Sequence, residues 1–332
     1  MNSNLAYISN FKKKNENFVS YVITLFNKEE FAKSVISALQ NEGGSHEREY
    51  IFVDDGSTDE TFKKFKKLCK NLPGKSQIYT RMNLGASYST NEAVKKTKGY
   101  WIRLLDGDDL IVKKSTANML KIARLSKTEF VYGDIDDRNV GRKKKLAYSL
   151  QSKEEGLKKF IKNCPANSSS ILVSKKRFFS SGGCNESFVS PDQVLFLRLF
   201  KSGDGTYYNS LVAKTPSKKL KNRLSSQVKR SRYESILALI DFCEQEAELA
   251  NNLKKKAYKR ALSRAFNYYR YFNRSVYSIH LVRYLISKLY FPKNYLKNMY
   301  VSLGVFTNNK NNKPKKWMTG SDMKAISKRI IE

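Results

Sequence analysis

Histidine is almost missing from this chain: there are two, His46 and His280, in 332 residues. That argues against a histidine-built metal centre or a histidine-dependent catalytic triad. The four cysteines, Cys69, Cys164, Cys184 and Cys243, show no CxxC spacing. They are expected to be reduced thiols of a cytosolic chain, not a disulfide frame or a zinc site. No run of about eighteen apolar residues occurs, so no transmembrane helix is expected. The first residues, MNSNLAYISNFKKKNENF, lack the continuous apolar core and cleavage site of a signal peptide.

Acidic residues are scarce as well. Thirty Asp and Glu face 63 Lys and Arg, a formal net charge of +33. The deficit is uneven: residues 217–332 hold 26 basic and 7 acidic groups, and residues 1–216 hold 37 and 23. Nine of the 13 aspartates precede residue 138. Such a surplus suits an anionic partner, whether nucleic acid, a phospholipid face or a phosphorylated substrate, and equally a lysine-rich solvated surface. The apolar fraction is ordinary for a globular protein, and the length allows one large domain plus a smaller one.

Order follows from the pattern of the first half. FVSYVITLF at 18–26 is a β-branched apolar run and reads as a buried strand. Asn27 is expected to cap a helix, with Glu29 and Glu30 in its first turn and Phe31, Val35, Ile36 and Leu39 on one face. Strands are expected at 50–53, 77–80, 100–105, 130–132 and 167–173. Helices are expected around Phe62–Cys69, Ala86–Thr97, Ala117–Ser126 and from Pro191 to Phe200. Strands and helices alternating in this way indicate an α/β fold: a mostly parallel central sheet flanked by helices. After Pro216 the chain turns helical, with patterns at 233–250, 253–272 and 275–290. The expected organisation is an N-terminal extension (1–17), a large α/β domain (18–225), a basic helical domain (226–307) and a polar tail (308–332).

Polar clusters fall at the carboxyl ends of these strands, where open α/β sheets bind ligands. WIRLLDGDDL ends an apolar run in Asp106, Gly107, Asp108 and Asp109. Carboxylates this crowded can tolerate one another around a divalent cation, Mg²⁺ or Mn²⁺, that also binds phosphate oxygens. Gly107 would let the chain turn and a bulky ligand approach. The plainer alternative is an acidic turn with Asp109 as a helix cap. YIFVDDGSTDE places Asp54 and Asp55 at a second strand end, with Ser57 or Asp59 as candidate caps of the helix beyond. Between the two lies RMNLGASYSTNEA: Arg81 offers a planar fork for phosphate or carboxylate, Gly85 allows close backbone passage, and Asn83 and Asn91 supply amides.

The order of these motifs resembles glycosyltransferase family 2, whose members have the GT-A fold, a Rossmann-like arrangement. The match runs through Asn27 after the first strand, Asp-Asp-Gly-Ser-Thr-Asp at 54–59, Asn-Leu-Gly-Ala at 83–86 with Asn91, and Asp-Gly-Asp-Asp at 106–109. It continues in NSSSILVSKKRFFSSGGCNESFVSPDQVLFLRLFKSG at 167–203, similar to the family's acceptor-side segment. The resemblance covers roughly 18–225 and implies an inverting transferase that uses a nucleotide diphosphate sugar. It implies that Asp106 and Asp108 form the DxD pair, with Asp108 the direct metal ligand and Asp109 near the donor sugar. Asp54 or Asp55 would meet the nucleobase, and Thr24, Leu25, Phe26 and Glu29 would border base and ribose. Asp192 would be the catalytic base, although its local sequence also fits a first-turn helix acid. The chain departs from the family in having Pro191 before that base and Thr24-Leu25-Phe26 before Asn27. It lacks the QxxRW motif of processive synthases, since neither Trp101 nor Trp317 sits in that context.

A non-processive enzyme of surface-polysaccharide assembly is therefore expected, acting on a saccharide or lipid-linked acceptor. It would be cytoplasmic, with the basic C-terminal helices packing on the catalytic domain first and meeting an anionic inner membrane face second. Tyr268, Tyr269, Tyr271 and Phe272 lie among arginines, but helical packing accounts for most of them and no nucleic-acid module is present. A nucleotidyltransferase is disfavoured because residues 24–30 contain no glycine. The alternative outside enzymes is a basic protein that binds an anionic polymer or membrane surface.

Overall fold

The structure is a computed structural model that describes residues 16–135, 146–216 and 228–306. Most of the N-terminal extension, the basic loop at 138–145, most of the boundary region at 217–230 and the tail from 308 lie outside the described residues. The described chain falls into two compact units, one of residues 16–135, 146–156 and 165–216, the other of 157–164 and 228–306.

Up to residue 216 the elements are β1 (Phe18–Leu25), α1 (Ala32–Gln40), β2 (Glu47–Asp54), α2 (Thr61–Leu68), β3 (Lys75–Thr80), α3 (Ala86–Lys96), β4 (Trp101–Asp106), β5 (Leu110–Ile111), α4 (Ser115–Ser126), β6 (Phe130–Asp134), β7 (Tyr148–Gln151), α5 (Lys153–Lys162), β8 (Ile171–Ser174), α6 (Lys175–Ser180), α7 (Asp192–Lys201), β9 (Gly205–Leu211) and β10 (Ala213–Lys214). Eight strands form one sheet in the order β3-β2-β1-β4-β8-β6-β9-β7. β3, β2, β1 and β4 are parallel neighbours, as are β6 and β9. β8 runs antiparallel to β4 and β6, and β7 antiparallel to β9. This is the mostly parallel, helix-flanked α/β sheet that the alternation implies.

β1, β2 and β4 lie mid-sheet and are covered on both faces, which is why they read as unbroken apolar runs. Val35, Ile36 and Leu39 of α1 are buried, and Tyr21 of β1 stacks on Tyr50 of β2 with ring centroids 5.0 Å apart. Register fixes the functional edge. Leu25 is paired with Asp54, Thr24 with Asp106, and Asp54 with Thr80. The carboxyl ends of four parallel strands therefore form one rim, with Asp54 and Asp106 flanking β1 about 10 Å apart at ordinary strand spacing.

Several local expectations are corrected. Asn27 caps no helix: it adopts a left-handed φ of 50°, and its Oδ1 accepts from the Thr58 N–H at 2.9 Å, tying the β1 end to the β2 loop. The segment 167–173 splits into a helical turn at Ser168–Ser170 and the shorter strand β8. β7, α5 and β9 are absent from the sequence reading. β7 is a polar edge strand, and β9, GTYYNSL, has no apolar run. α5 does carry a signal, a capping box: Ser152 Oγ accepts from the Glu155 N–H, and Glu155 accepts from the Ser152 N–H at 3.0 Å.

The later helices are α8 (Val228–Gln245), α9 (Asn251–Asn273), α10 (Ile279–Leu289) and α11 (Tyr295–Ser302). The α9 stripe of Leu253, Ala257, Tyr258, Ala261, Leu262, Ala265 and Phe266 is buried as its spacing predicts. Arg264 is buried too, donating to the Ser235 carbonyl of α8, and burial pushes its pKa down to about 9. Tyr268 packs on Phe306, but Tyr271 and Phe272 are exposed, so packing explains fewer of these aromatics than expected. No disulfide joins the four cysteines.

Candidate active site

The rim divides into two neighbourhoods on either side of β1. On the β2 side, Asp54 accepts from the Ser57 and Thr80 hydroxyls. The Asp55 N–H donates to the Leu25 carbonyl at 2.8 Å. Its carboxylate takes the Leu84 and Gly85 N–H groups at 2.9 and 2.8 Å and pairs with Arg81 at 2.9 Å. Burial raises the pKa of Asp55, opposed by those amides and by Arg81. Arg81 thus spends its fork on carboxylates, Asp55 and Glu92, and lies 4.3 Å over the Tyr88 ring. Gly85 has φ +93°, a conformation that excludes side chains, and so can aim its N–H at Asp55. The loop bearing Asn83 passes so close to Gly56 that a Cβ there would lie 2.8 Å from the Asn83 nitrogen.

Of the residues expected to border base and ribose, Thr24 and Leu25 contribute carbonyls to the rim, and Phe26 is 43% exposed. Glu29 turns to the start of α2, accepting from Lys64 at 3.1 Å and from the Glu60 N–H. Asn91 holds the Cys184 backbone with both ends of its amide, at 2.8 and 2.9 Å, and so fixes the turn that leads toward α7.

On the β4 side the chain turns sharply, with the Asp109 N–H donating to the Asp106 carbonyl at 3.0 Å. Asp109 caps no helix, since β5 follows it directly. Gly107 sits in this turn and also lets β1 approach. A Cβ there would lie 2.4 Å from Leu25 Cδ2 and 2.9 Å from the Thr24 oxygen. The missing side chain makes room for β1, to which Gly107 also donates its N–H at 2.9 Å. Asp108 is buried and paired with Lys28 Nζ at 2.7 Å.

Asp192 opens α7, and its Oδ1 accepts from the Ser168 N–H at 2.8 Å. The Ser168 hydroxyl donates to Asp106 at 2.9 Å. One serine therefore bridges the strand-end carboxylate and the helix-start carboxylate. The pKa of Asp106 is raised well above the ordinary value, first by burial and then by Asp109, Asp192 and Asp108. That of Asp192 is raised by burial, with the Ser168 and Ser190 hydrogen bonds pulling it down. The structure thus draws Asp106, Asp108, Asp109 and Asp192 into a single electrostatic cluster.

Three contributors were not singled out in the sequence. Lys28 gave no signal, being one basic residue among 63. Ser168 sits in NSSS, a segment noted only for its place in the chain. Arg103 could have been noticed as a charge inside an apolar strand. It is fully buried and donates to the carbonyls of Ser169 at 2.6 Å, Ile171 at 3.0 Å and Val212 at 3.2 Å. It thereby holds the serine turn beneath the carboxylates.

A hard divalent ion fits this oxygen set in kind. Among the described residues no three acidic, histidine or cysteine side chains are grouped to hold a metal by themselves. The cluster suits an ion that keeps waters and takes its remaining ligands from phosphate oxygens.

The profile of glycosyl transferase family 2 matches residues 20–188, half of the sequence. The chain belongs to glycosyl transferase family 2. Asp192 lies just beyond the matched stretch. An uncharacterised glycosyltransferase of Rickettsia bellii is 26% identical over 151 residues, 44% of this chain and 21% of that protein. One from Mycoplasma genitalium is 28% identical over 120 residues, 35% of this chain and 40% of that protein. The chain spans between a fifth and two fifths of the length of these relatives. Among solved structures, Staphylococcus aureus TarS 1–349 in complex with UDP-GlcNAc superposes with a TM-score of 0.59 at 15% identity, covering 87% of this chain and 81% of that one. A mannosyltransferase from Pyrobaculum calidifontis in complex with GDP-Man and Mn²⁺ gives 0.54 at 13% identity, covering 90% and 94%. At these identities the likeness shows the fold alone: the family 2 chain has the GT-A sheet, followed by C-terminal helices.

Proposed function

We propose that this family 2 glycosyltransferase moves a sugar from a nucleoside diphosphate donor to a saccharide or lipid-linked acceptor hydroxyl, one sugar per encounter and with inversion. The observation that carries it is the Ser168 bridge. It sets Asp192 beside the tip of β4, so that an acceptor base and a donor site share one rim. Asp192 removes the acceptor proton as that oxygen attacks the anomeric carbon. Its raised pKa favours this role, because a base gains proton affinity as its pKa approaches the working pH. Asp108 and Asp106 would hold Mn²⁺ or Mg²⁺, which when bound offsets charge on the departing diphosphate. Lys28 brings a second positive group to the same place. The Asp54–Ser57 loop and the Thr24–Phe26 end of β1 border the nucleoside.

The UDP-GlcNAc and GDP-Man in the two related structures support a nucleotide-sugar donor, and the Mn²⁺ in one supports a divalent ion. Surface-polysaccharide assembly at the cytoplasmic face of a membrane is the setting we assign, with the basic C-terminal helices meeting anionic lipid. Among the described residues no helix is long and apolar enough to cross a membrane. The non-enzymatic alternative needs the acidic clusters to be helix caps, and Asp106, Asp108 and Asp109 cap nothing.

The test reads released nucleoside diphosphate and, separately, thermal stabilisation by UDP or GDP with Mn²⁺. Asp192→Asn is expected to keep the stabilisation and lose roughly 10²-fold or more in turnover. Asp108→Ala is expected to lose the Mn²⁺-dependent stabilisation. Full turnover in Asp192→Asn, or equal stabilisation in Asp108→Ala and wild type, would refute the assignment.

A further inference from the structure

α10 is inside out. His280, Tyr284 and Ser287, spaced i, i+4 and i+7, form its inner face. His280 packs on Tyr269 and Tyr284 stacks on Phe266 of α9, with centroids 5.6 and 5.9 Å apart, while Ser287 is fully buried. The aliphatic residues point the other way. Val282, Leu285, Ile286 and Leu289, at i, i+3, i+4 and i+7, are 49%, 47%, 50% and 89% exposed. Ile279 and Tyr277 extend that face, at 56% and 85%. An aliphatic stripe left in water along a whole helix costs free energy and marks a binding surface.

Charge identifies the occupant. Between Ala250 and Phe306 there is no aspartate or glutamate, and there are twelve lysines and arginines. Arg283 and Lys288 lie on α10 itself. A second copy of this face would bring like charge against like charge. The chain beyond Phe306 carries seven basic and two acidic residues, a charge that does not complement this face. Nucleic acid would satisfy the cations and could stack on the exposed Tyr277, but it would leave the aliphatic Val282, Leu285, Ile286 and Leu289 in water. An anionic bilayer satisfies both, with phosphates for the cations and acyl chains for the aliphatic stripe. At eleven residues α10 is about 16 Å long, half of what a membrane span needs, so it would lie in the interfacial plane.

We infer that α10 is an interfacial membrane-docking helix, inserting Val282, Leu285, Ile286 and Leu289 among the lipids of an anionic bilayer while Arg283 and Lys288 engage their phosphates. This deepens the membrane-surface part of the reading above and is independent of the transfer chemistry.

The test is co-sedimentation of the full chain with phosphatidylcholine vesicles, with and without phosphatidylglycerol, for wild type, Leu285→Ser/Leu289→Ser and Arg283→Gln/Lys288→Gln. Leu289 is largely and Leu285 about half exposed, so the double variant should melt close to wild type. Wild type is expected to bind only the anionic vesicles. The leucine variant is expected to lose roughly tenfold in partitioning even at low salt, and the charge variant to show a shallower salt dependence. If the leucine variant binds as wild type does, the inserted helix is overturned while a purely electrostatic membrane contact survives. If wild type ignores anionic vesicles, both fail. If sedimentation velocity shows self-association that the leucine variant abolishes, the face joins two copies and the inference is also overturned.

Discussion

At the residue scale the site is a problem in neutralising crowded carboxylates. Lys28 compensates one of them, 2.7 Å from Asp108 with both side chains mostly shielded from water. Removing one partner of such a pair strands the other charge. Lys28→Met is predicted to destabilise the ligand-free protein by about 1–3 kcal/mol. Added Mn²⁺ should recover more stability in the variant than in wild type, because it restores positive charge where the ammonium stood. Thermal unfolding with and without Mn²⁺ checks this, and an equal response in both proteins would contradict it. Asp106 shows the same strain from the acidic side, its pKa raised by burial and three neighbouring aspartates. None of this was legible beforehand. A run of acids signals repulsion, but the lysine that relieves it is 80 residues away.

At the element scale, close approach between strands decides what the motifs mean. Gly107 was legible as a glycine needed at a turn, and the structure adds that its missing side chain makes room for Thr24 and Leu25 of β1. Gly107→Ala is predicted to cost about 1–3 kcal/mol, as overpacking does. A lower urea midpoint with unchanged m-value would show it; an unchanged midpoint would mean that β1 and β4 are looser than described. The connection from α1 to β2 holds another element-scale device. The Tyr21 hydroxyl donates to Glu42 at 3.0 Å and lies 2.7 Å from His46 Nε2, and burial first, then Arg48, pushes the His46 pKa down to about 4. The unfolded chain protonates this histidine near pH 6.5, so the contribution is present above 6.5 and is lost as pH falls toward 4. It amounts to about 3 kcal/mol. His46→Gln should flatten the stability profile across that window, and an unchanged slope would assign the acid sensitivity elsewhere. The strands in covered, apolar positions were readable. β7 and β9 were not: β7 is a polar edge strand, and β9, paired on both sides by β6 and β7, is held by pairing that leaves no apolar signature in its sequence.

At the scale of the whole molecule there are two compact units with different chemistry. We take 18–225 as the catalytic domain and 226–307 as a basic helical domain. Binding of UDP or GDP with Mn²⁺ is therefore predicted to slow amide exchange at 53–58, 105–110 and around Ser168, and to leave α8 to α11 unchanged. Protection confined to α9 or α10 would relocate the nucleotide site. The net charge of +33 sets how the molecule meets anionic surfaces, and its effect must weaken as salt screens it.

The sequence by itself determined the parallel alternation of strands and helices, and with it the rim. Parallel strands all point their carboxyl ends one way, so acidic tips written far apart must meet at one edge. It also determined the family, through the order of motifs along the chain, and the buried stripe of α9, through helical spacing. Only the tertiary structure decided which partner each charge finds: Lys28 on Asp108, Ser168 between Asp106 and Asp192, Arg103 beneath the serine turn. It also decided that α10 shows its aliphatic side to solvent. Hydrogen bonds and burial depend on position in space, and the residues that make this site come together across 24 to 109 positions of sequence.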